Sequence, residues 1–281
     1  FLARAISRPV RRVAEAARML VEEESPPPLP VEGARELVLL AESFNETAAQ
    51  LARARAAERQ FLLSVSHELK TPLTAIRGYA EGLSEGVLDS DEAAETIRRE
   101  AARLERLVRD LLDLARMNKS EFSVQRVSIE LGEVAQEVAQ RYDGQAQGFG
   151  VELLVSSDGP APALGDADRM VQAVSNLVEN ALRVTPPGGS VRIVAAPGTI
   201  AVEDTGPGLQ AEELPRAFER FYLYSRYGRE RPVGTGLGLA IVKQLAEGMG
   251  GSVEASSEPG RLTRFVVRLP APSVVPQLAR A

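Results

Sequence analysis

Apolar residues recur at steps of three and four through the first 115 positions of this chain. Beyond about residue 120 the pattern breaks into strand-like runs between shorter helical stripes. Ile6, Val10, Val13, Ala17 and Leu20 share one side of a helix over residues 1–21. Pro26, Pro27, Pro28 and Pro30 then force an extended connector. A second helix is expected from about Ala34, where Leu37, Leu40, Phe44, Thr47 and Leu51 form a heptad seam. Residues 52–61 contain helix formers and no breaker, so this helix runs on into a stripe of Val65, Leu69, Leu73, Ile76, Ala80 and Leu83. Gly82, Gly86 and Asp89-Ser90-Asp91 mark a turn. A returning helix carries Ala94, Ile97, Ala101, Leu104, Val108, Leu111 and Ala115. Two antiparallel helices with such narrow seams bury too little surface alone. Two copies joined in a four-helix bundle bury enough, so a homodimer is expected.

Asn118, Lys119 and Ser120 read as a linker. Strands are expected in SVQRVSI, VELLVSS, SVRIVAA, IAVED, SVEASS and TRFVVRLP. Helices are expected in ELGEVAQEVAQRY, DRMVQAVSNLVENALRV and LGLAIVKQLAEGM. This makes an α/β sandwich of about 145 residues with its own core. The expected fold class is thus multidomain, an all-α coiled coil and four-helix bundle followed by an α/β sandwich. The expected boundaries are 1–55, 56–118, a linker at 119–126, 127–270 and a tail at 271–281.

Composition changes this picture in three ways. The chain has no cysteine, which excludes disulfides and thiolate metal sites. Its formal charge of −6, with no basic stripe interleaved with aromatics, argues against nucleic acid as a partner. Arg4, Arg8, Arg11, Arg12 and Arg18 cluster at the start, where Glu15 is the exception among acidic residues. Such a cluster marks the cytoplasmic end of a membrane helix, so an upstream transmembrane helix is expected, although no apolar run here reaches about 18 residues.

Candidate chemistry begins at His67, the only histidine in 281 residues. It lies about 200° around the helix from both Val65 and Leu69, facing away from the apolar stripe. Lys70, Thr71 and Thr74 share its face, Glu68 adjoins it, and Pro72 crowds the carbonyl of Glu68 beneath them. Further on, Asn176, Glu179, Asn180 and Arg183 fall on one face of a helix, opposite Val174, Leu177, Val178 and Ala181. Carboxamides suit Mg²⁺ when phosphates bring the negative charge. IAVEDTGPGL ends a strand at Asp204, a carboxylate able to accept from an exocyclic amine such as that of adenine, with Gly206 and Gly208 following. RPVGTGLGLAIVKQL sets Gly234, Gly236 and Gly238 before a helix whose N-terminal amides favour phosphate. It is neither a Walker loop nor a Rossmann fingerprint. A polar segment with Arg220, Arg226, Arg229 and Arg231 precedes it, as a closing lid would. Taken singly, each has an ordinary reading: a solvated histidine, a polar helix face, a turn.

The joint order of these segments resembles the Bergerat ATP-binding fold of histidine kinases, type II topoisomerases, Hsp90-type chaperones and MutL. With SVSHELKTPLTAI upstream, the chain resembles a sensor histidine kinase over residues 1 to about 270, and its first two helices resemble a HAMP signal-conversion domain. The resemblance implies that His67 is phosphorylated from Mg-ATP and passes the group to an aspartate of a response-regulator receiver domain. It implies that Glu68 polarises the imidazole and that Thr71 positions water for a phosphatase step. Asn180 would hold Mg²⁺ with Asn176 near the phosphates, and Arg183 would share that face. Asp204 would meet adenine, and Gly206 and Gly208 would lie along the nucleotide. Phe218 and Phe221 would anchor the lid with Arg226 in it, and Gly234, Gly236 and Gly238 would shape the phosphate end. The protein would sit at the cell inner membrane with this part on the cytoplasmic side. Val184 stands where the family often has tyrosine, Leu223 and Tyr224 replace common lid residues, and Leu262 stands where a second glycine is usual. A chaperone-type or repair-type ATPase, and a dimeric scaffold that binds ATP without catalysis, are the alternatives.

Overall fold

The structure is a computed structural model, and it describes residues 2–21, 26–117, 125–227 and 234–272. The linker at Asn118–Ser120, Arg229, Arg231 and most of the expected tail lie outside the described residues, as does the side chain of Tyr224. Two compact units emerge, Phe1–His67 and Glu68–Ala281.

The first unit holds helix α1 (Leu2–Val21) and the N-terminal part of helix α2 (Arg35–Ser84). The proline-rich connector has few backbone donors, and a side chain supplies its pairing. Asn45 accepts from the Leu29 N–H at 2.8 Å and donates to the Leu29 carbonyl at 3.0 Å. Arg55 donates to the Leu20 carbonyl at 3.0 Å, satisfying one of the last carbonyls of α1. Ala16 and Ala41 are buried, while Leu40 and Leu51 of the expected seam, and Val10 of the α1 stripe, are between a third and a half exposed.

The second unit begins with the rest of α2 and helix α3 (Ser90–Met117). Helix α2 passes through Pro72 without a break in assignment, and Pro72 is buried. Gly86 at φ +72 reverses the chain in the left-handed region that an L side chain avoids. Asp89 then caps α3, its Oδ1 accepting from the N–H groups of Asp91 and Glu92. The residues that α3 buries are Ala93, Thr96, Leu107 and Leu114. This corrects the expected stripe, which lies one position further round. Val108 on that stripe, Leu112 beside it and Leu73 on α2 remain about half exposed. Helix α3 therefore has two apolar sides, one closed within the chain and one left open.

The sandwich follows. Strand β1 (Val127–Glu130) pairs antiparallel with β3 (Pro162–Gly165). Helix α4 (Leu131–Phe149) and β2 (Glu152–Ser157) lie between them in sequence. Then come helix α5 (Ala167–Val184), β4 (Ser190–Ala196) and β5 (Thr199–Asp204). After a 3₁₀ turn (Leu214–Arg216) and short helix α6 (Tyr222–Tyr227) come α7 (Gly238–Gly248), β6 (Ser252–Glu258) and β7 (Leu262–Arg268). The main sheet runs β2-β4-β5-β7-β6, with only the β2–β4 pair parallel. Helices α4, α5 and α7 pack on it and on one another. The core lies between these layers, where Met170, Leu177, Ile193, Ile200 and Leu245 are fully buried. The periodicity misses α6, which falls in the expected polar lid, and strand β3, whose four residues bounded by a proline and a glycine carry no alternation to read. Strand β1 is shorter than the expected SVQRVSI, because Gln125 and Arg126 are not in strand. Among the described residues no helix is long and apolar enough to cross a membrane.

Candidate functional site

Helix α5 is the floor of the site. Asp166 caps its start, with Oδ1 accepting from the Arg169 N–H. Its apolar side is buried against the sheet, which turns Asn176, Glu179, Asn180 and Arg183 outward together. These four line a cavity of about 440 Å³ with Gly234, Thr235, Gly236 and Gly238 of the glycine loop. A Cβ built on Gly238 would lie 3.8 Å from Asn176, so loop and helix are in van der Waals range. A second cavity, of about 40 Å³, abuts the first and shares Asn180 and Leu223 with it. Asp204, Gly208, Val184, Leu209, Tyr227, Thr263 and Phe265 complete its lining.

Asp204 ends β5, buried at 2% exposure, and its Oδ1 accepts from the Gly206 N–H at 2.9 Å. Gly208 sits at φ +78, and a Cβ there would come within 2.7 Å of the Pro259 backbone. A side chain at 208 is therefore excluded both by conformation and by space. The two cavities differ in character. The smaller is mostly apolar with one buried carboxylate, which suits a planar heterocycle carrying a donor. The larger is polar and flanked by backbone amides and arginine, which suits phosphates.

The described residues bring together Asn176, Asn180, Arg183, Asp204, Gly208, Gly234, Gly236 and Gly238. Gly206 supports Asp204 from behind. Phe218 and Phe221 line neither cavity. Phe218 stacks edge-to-face on Phe265 at 5.8 Å, on the sheet side. Phe221 is buried at φ +59, and its N–H donates to the Gly236 carbonyl at 2.8 Å, tying the glycine loop to the segment before it. Arg226 lines neither cavity and is held elsewhere, its Nε donating to Glu213 at 2.8 Å.

Sequence reasoning missed several lining residues. Tyr142 and Gln145 stand on α4, and Arg106, Arg109, Asp110 and Asp113 on α3. Burial raises the Tyr142 phenol, and the nearby Glu179 adds to this. Arg183 pairs with Glu179, and burial lowers its guanidinium from the ordinary arginine value. Helix α3 meets the glycine loop through Asp110, which accepts from the Thr235 hydroxyl, and meets α5 through Asp113, which accepts from Gln172 at 2.7 Å.

Burial raises the Asp110 carboxyl above the ordinary 3.8; the Thr235 hydroxyl opposes this, Glu179 and Asp113 reinforce it, and Arg183 opposes it. A carboxyl with a raised pKa binds its proton more tightly folded than unfolded. Its contribution to stability is thus present below 3.8 and is lost as pH rises through the folded value. Asp110→Asn is expected to flatten this part of the pH dependence of unfolding, measured as urea midpoints from pH 3.5 upward. Parallel curves for parent and variant would refute it.

His67, the last residue of the first unit, is exposed. Thr71 and Lys70 are exposed one turn on. Glu68 is largely buried and pairs with Arg103 of α3 at 3.0 Å. No cluster of three or more His, Cys, Asp or Glu able to hold a metal occurs among the described residues. Among the oxygen donors at the wall of the larger cavity, those that α5 presents to a hard cation are Asn176, Asn180 and Glu179. They fit Mg²⁺ only with further oxygens from a bound phosphate chain.

Three family profiles match consecutive stretches of the chain. They are described as HAMP domain over residues 1–53, His Kinase A (phospho-acceptor) domain over 57–120, and Histidine kinase-, DNA gyrase B-, and HSP90-like ATPase over 165–273. The Sensor protein SrrB of Staphylococcus aureus (strain MRSA252) is 34% identical over 223 residues, 76% of this chain and 38% of that protein. The chain belongs to the sensor histidine kinases. It spans about two-fifths of the length of the curated relatives it matches. As a sensor histidine kinase it shares its architecture with solved structures. Full-length ShkA in complex with AMPPNP is 29% identical at a TM-score of 0.56, over 76% of this chain and 46% of that one. Histidine kinase ThkA in complex with response regulator protein TrrA is 20% identical at 0.64, over 79% and 64%, a likeness of fold. The helical hairpin followed by a mixed α/β sheet is the fold expected of this kinase family.

Proposed function

We propose that the chain is the cytoplasmic part of a membrane sensor histidine kinase acting as a homodimer. It transfers the γ-phosphoryl group of Mg-ATP to His67 and then to an aspartate of a response-regulator receiver domain, with phosphatase activity toward that partner. The observation that carries this reading is the pair of abutting cavities, one apolar around Asp204 and one polar around Asn176, Asn180 and the glycine loop, in a chain that also bears HELKTP. The 29% identical relative solved with AMPPNP supports the nucleotide. The half-exposed residues on α2 and α3 support a second copy. The domain boundaries we assign are 1–55, 56–118, 127–270 and a tail at 271–281, with a linker at 119–126.

Asp204 accepts from the adenine amine, and Gly208 keeps the wall open to the ring. The amides at the start of α7 and Arg183 face the phosphates. Asn180 would hold Mg²⁺ with Asn176 beside it, and the ion would neutralise phosphate charge. A neutral imidazole is nucleophilic near pH 7. One ring nitrogen of His67 forms the bond to phosphorus as the bond to the bridging oxygen of ADP breaks. Glu68 accepts the proton of the other ring nitrogen, and Arg103 competes for that carboxylate. Phosphoryl transfer asks for alignment and charge neutralisation, which these groups supply. Thr71, one turn from His67, orients the water of the phosphatase step.

Incubation with γ-labelled ATP tests this. Label that requires Mg²⁺, is lost in acid and survives alkali is expected. Tight ATP binding with no label would instead favour a non-catalytic scaffold.

A further inference from the structure

The smaller cavity contains an arrangement that the nucleotide reading leaves unused. Its lining includes two aromatic residues, Phe265 and Tyr227. The Phe265 ring is 3% exposed and engaged edge-on by Phe218. Val184 makes the α5 side of the cavity aliphatic. Tyr227 comes from α6, a helix of six residues, too short to hold its own shape. What holds it is Glu213, a carboxylate only 2% exposed. Glu213 accepts from the Tyr227 hydroxyl at 2.7 and 2.6 Å on its two oxygens, from Arg226 Nε at 2.8 Å and from the Gln210 N–H at 2.9 Å. Burial raises this carboxyl, but the bonds from Tyr227, Gln210 and Arg226 outweigh burial and bring it below the ordinary value. A carboxylate buried to this extent is costly unless each oxygen is satisfied, and α6 supplies most of the donors.

The size of the cavity adds a second argument. At about 40 Å³ it has room for a water or two, not for a purine. Val184, Asp204, Thr263 and Phe265 stand on α5 and the sheet, whose neighbouring side chains form the close-packed core. Leu223 and Tyr227 stand on α6. Room for a base therefore comes from side chains on the outer walls, such as Leu223 on α6 and Leu209 on the loop, while the Tyr227 ring, tethered at its hydroxyl, stays against the base.

We propose that Tyr227 is the aromatic wall of the base subsite, and that Glu213 is the residue that positions it by anchoring its hydroxyl. This rests on the reading of the cavities as a nucleotide site. Stacking on an aromatic ring is sequence-tolerant and accounts for a large part of binding wherever a base meets a protein. Asp204 supplies the direction of binding and Tyr227 the contact area. The partner recognised is a purine nucleotide, and the contribution is the same for the diphosphate and the triphosphate.

The test is equilibrium binding of ATP, ADP and inorganic tripolyphosphate to the full chain and its variants. Tyr227→Ala is expected to weaken ATP and ADP equally, by about tenfold, and to leave tripolyphosphate unchanged. Tyr227→Phe keeps the ring and loses the anchor, Glu213→Gln keeps one acceptor oxygen but loses the charge that strengthens it, and each is expected to cost about twofold to threefold. Val184→Tyr in the Tyr227→Ala background places a ring on the α5 wall of the same cavity and is expected to recover most of the loss. Equal weakening of ATP and tripolyphosphate in Tyr227→Ala would mean a general structural role and overturn the proposal. Unchanged ATP binding in Tyr227→Ala, with binding lost in Asp204→Asn, would overturn it while sparing the nucleotide reading. Unchanged binding in both variants would remove that reading and the proposal together.

Discussion

His67→Gln is expected to lose covalent labelling by γ-labelled ATP entirely, at least about a thousandfold, while its affinity for ATP stays within about twofold of the parent. Glutamine has nearly the reach of the imidazole and is equally at home on an exposed helical face. It has no lone pair able to attack phosphorus. Because this is the only histidine in the chain, no neighbouring imidazole can take over. The cavities that line the nucleotide site are built from α3 to β7 and do not include position 67. Binding and chemistry are thus separated by a single substitution. Persistent acid-labile label in the variant would place the acceptor on another residue and overturn the assignment.

The second large effect is expected at Asp204. Asp204→Asn keeps an oxygen able to accept from the Gly206 N–H and leaves the size of the side chain unchanged. It replaces the other carboxylate oxygen with a donor. A donor facing the amine of adenine leaves two N–H groups opposed in a buried place, and such mismatches discriminate strongly. ATP affinity is expected to fall by on the order of a hundredfold, and the rise in thermal midpoint that ATP produces in the parent is expected to vanish. The same change presents a donor to the carbonyl oxygen of guanine, so the preference for ATP over GTP is expected to shrink. Binding titrations with both nucleotides decide it. An unaltered ATP affinity would remove Asp204 from the base subsite.

What could be read in the sequence was whatever depends on near neighbours along the chain. The helices of the N-terminal half follow from stripes at steps of three and four. Asn176, Asn180 and Arg183 converge because a helix buried on one side must present them on the other. The glycines of the 206–208 and 234–238 segments sit where the backbone approaches a cavity. What could not be read depends on packing between distant elements. The buried line of α3 runs through Ala93, Thr96, Leu107 and Leu114, beside the expected one, because α3 is apolar on two sides and periodicity does not choose between them. Arg226 points to Glu213, a pairing that spans the 3₁₀ turn and most of α6. Tyr142 and Gln145 carried a signal that went unused. They extend the apolar stripe of Leu131, Val134, Ala135 and Val138 at helical spacing. Polar groups ending such a stripe mark where a core opens into a cavity.

The strand order has a consequence for biosynthesis. Strand β7, at Leu262–Arg268, is the last strand in sequence but lies between β5 and β6. It also brings Thr263 and Phe265 to the smaller cavity. Until β7 joins, β5 and β6 have no common partner, and β5 presents a bare edge on the side away from β4. Until β7 is in place the smaller cavity lacks two of its walls, Thr263 and Phe265. A chain truncated before residue 262 is therefore expected to keep the helical hairpin and to leave β5 and β6 without the strand that joins them.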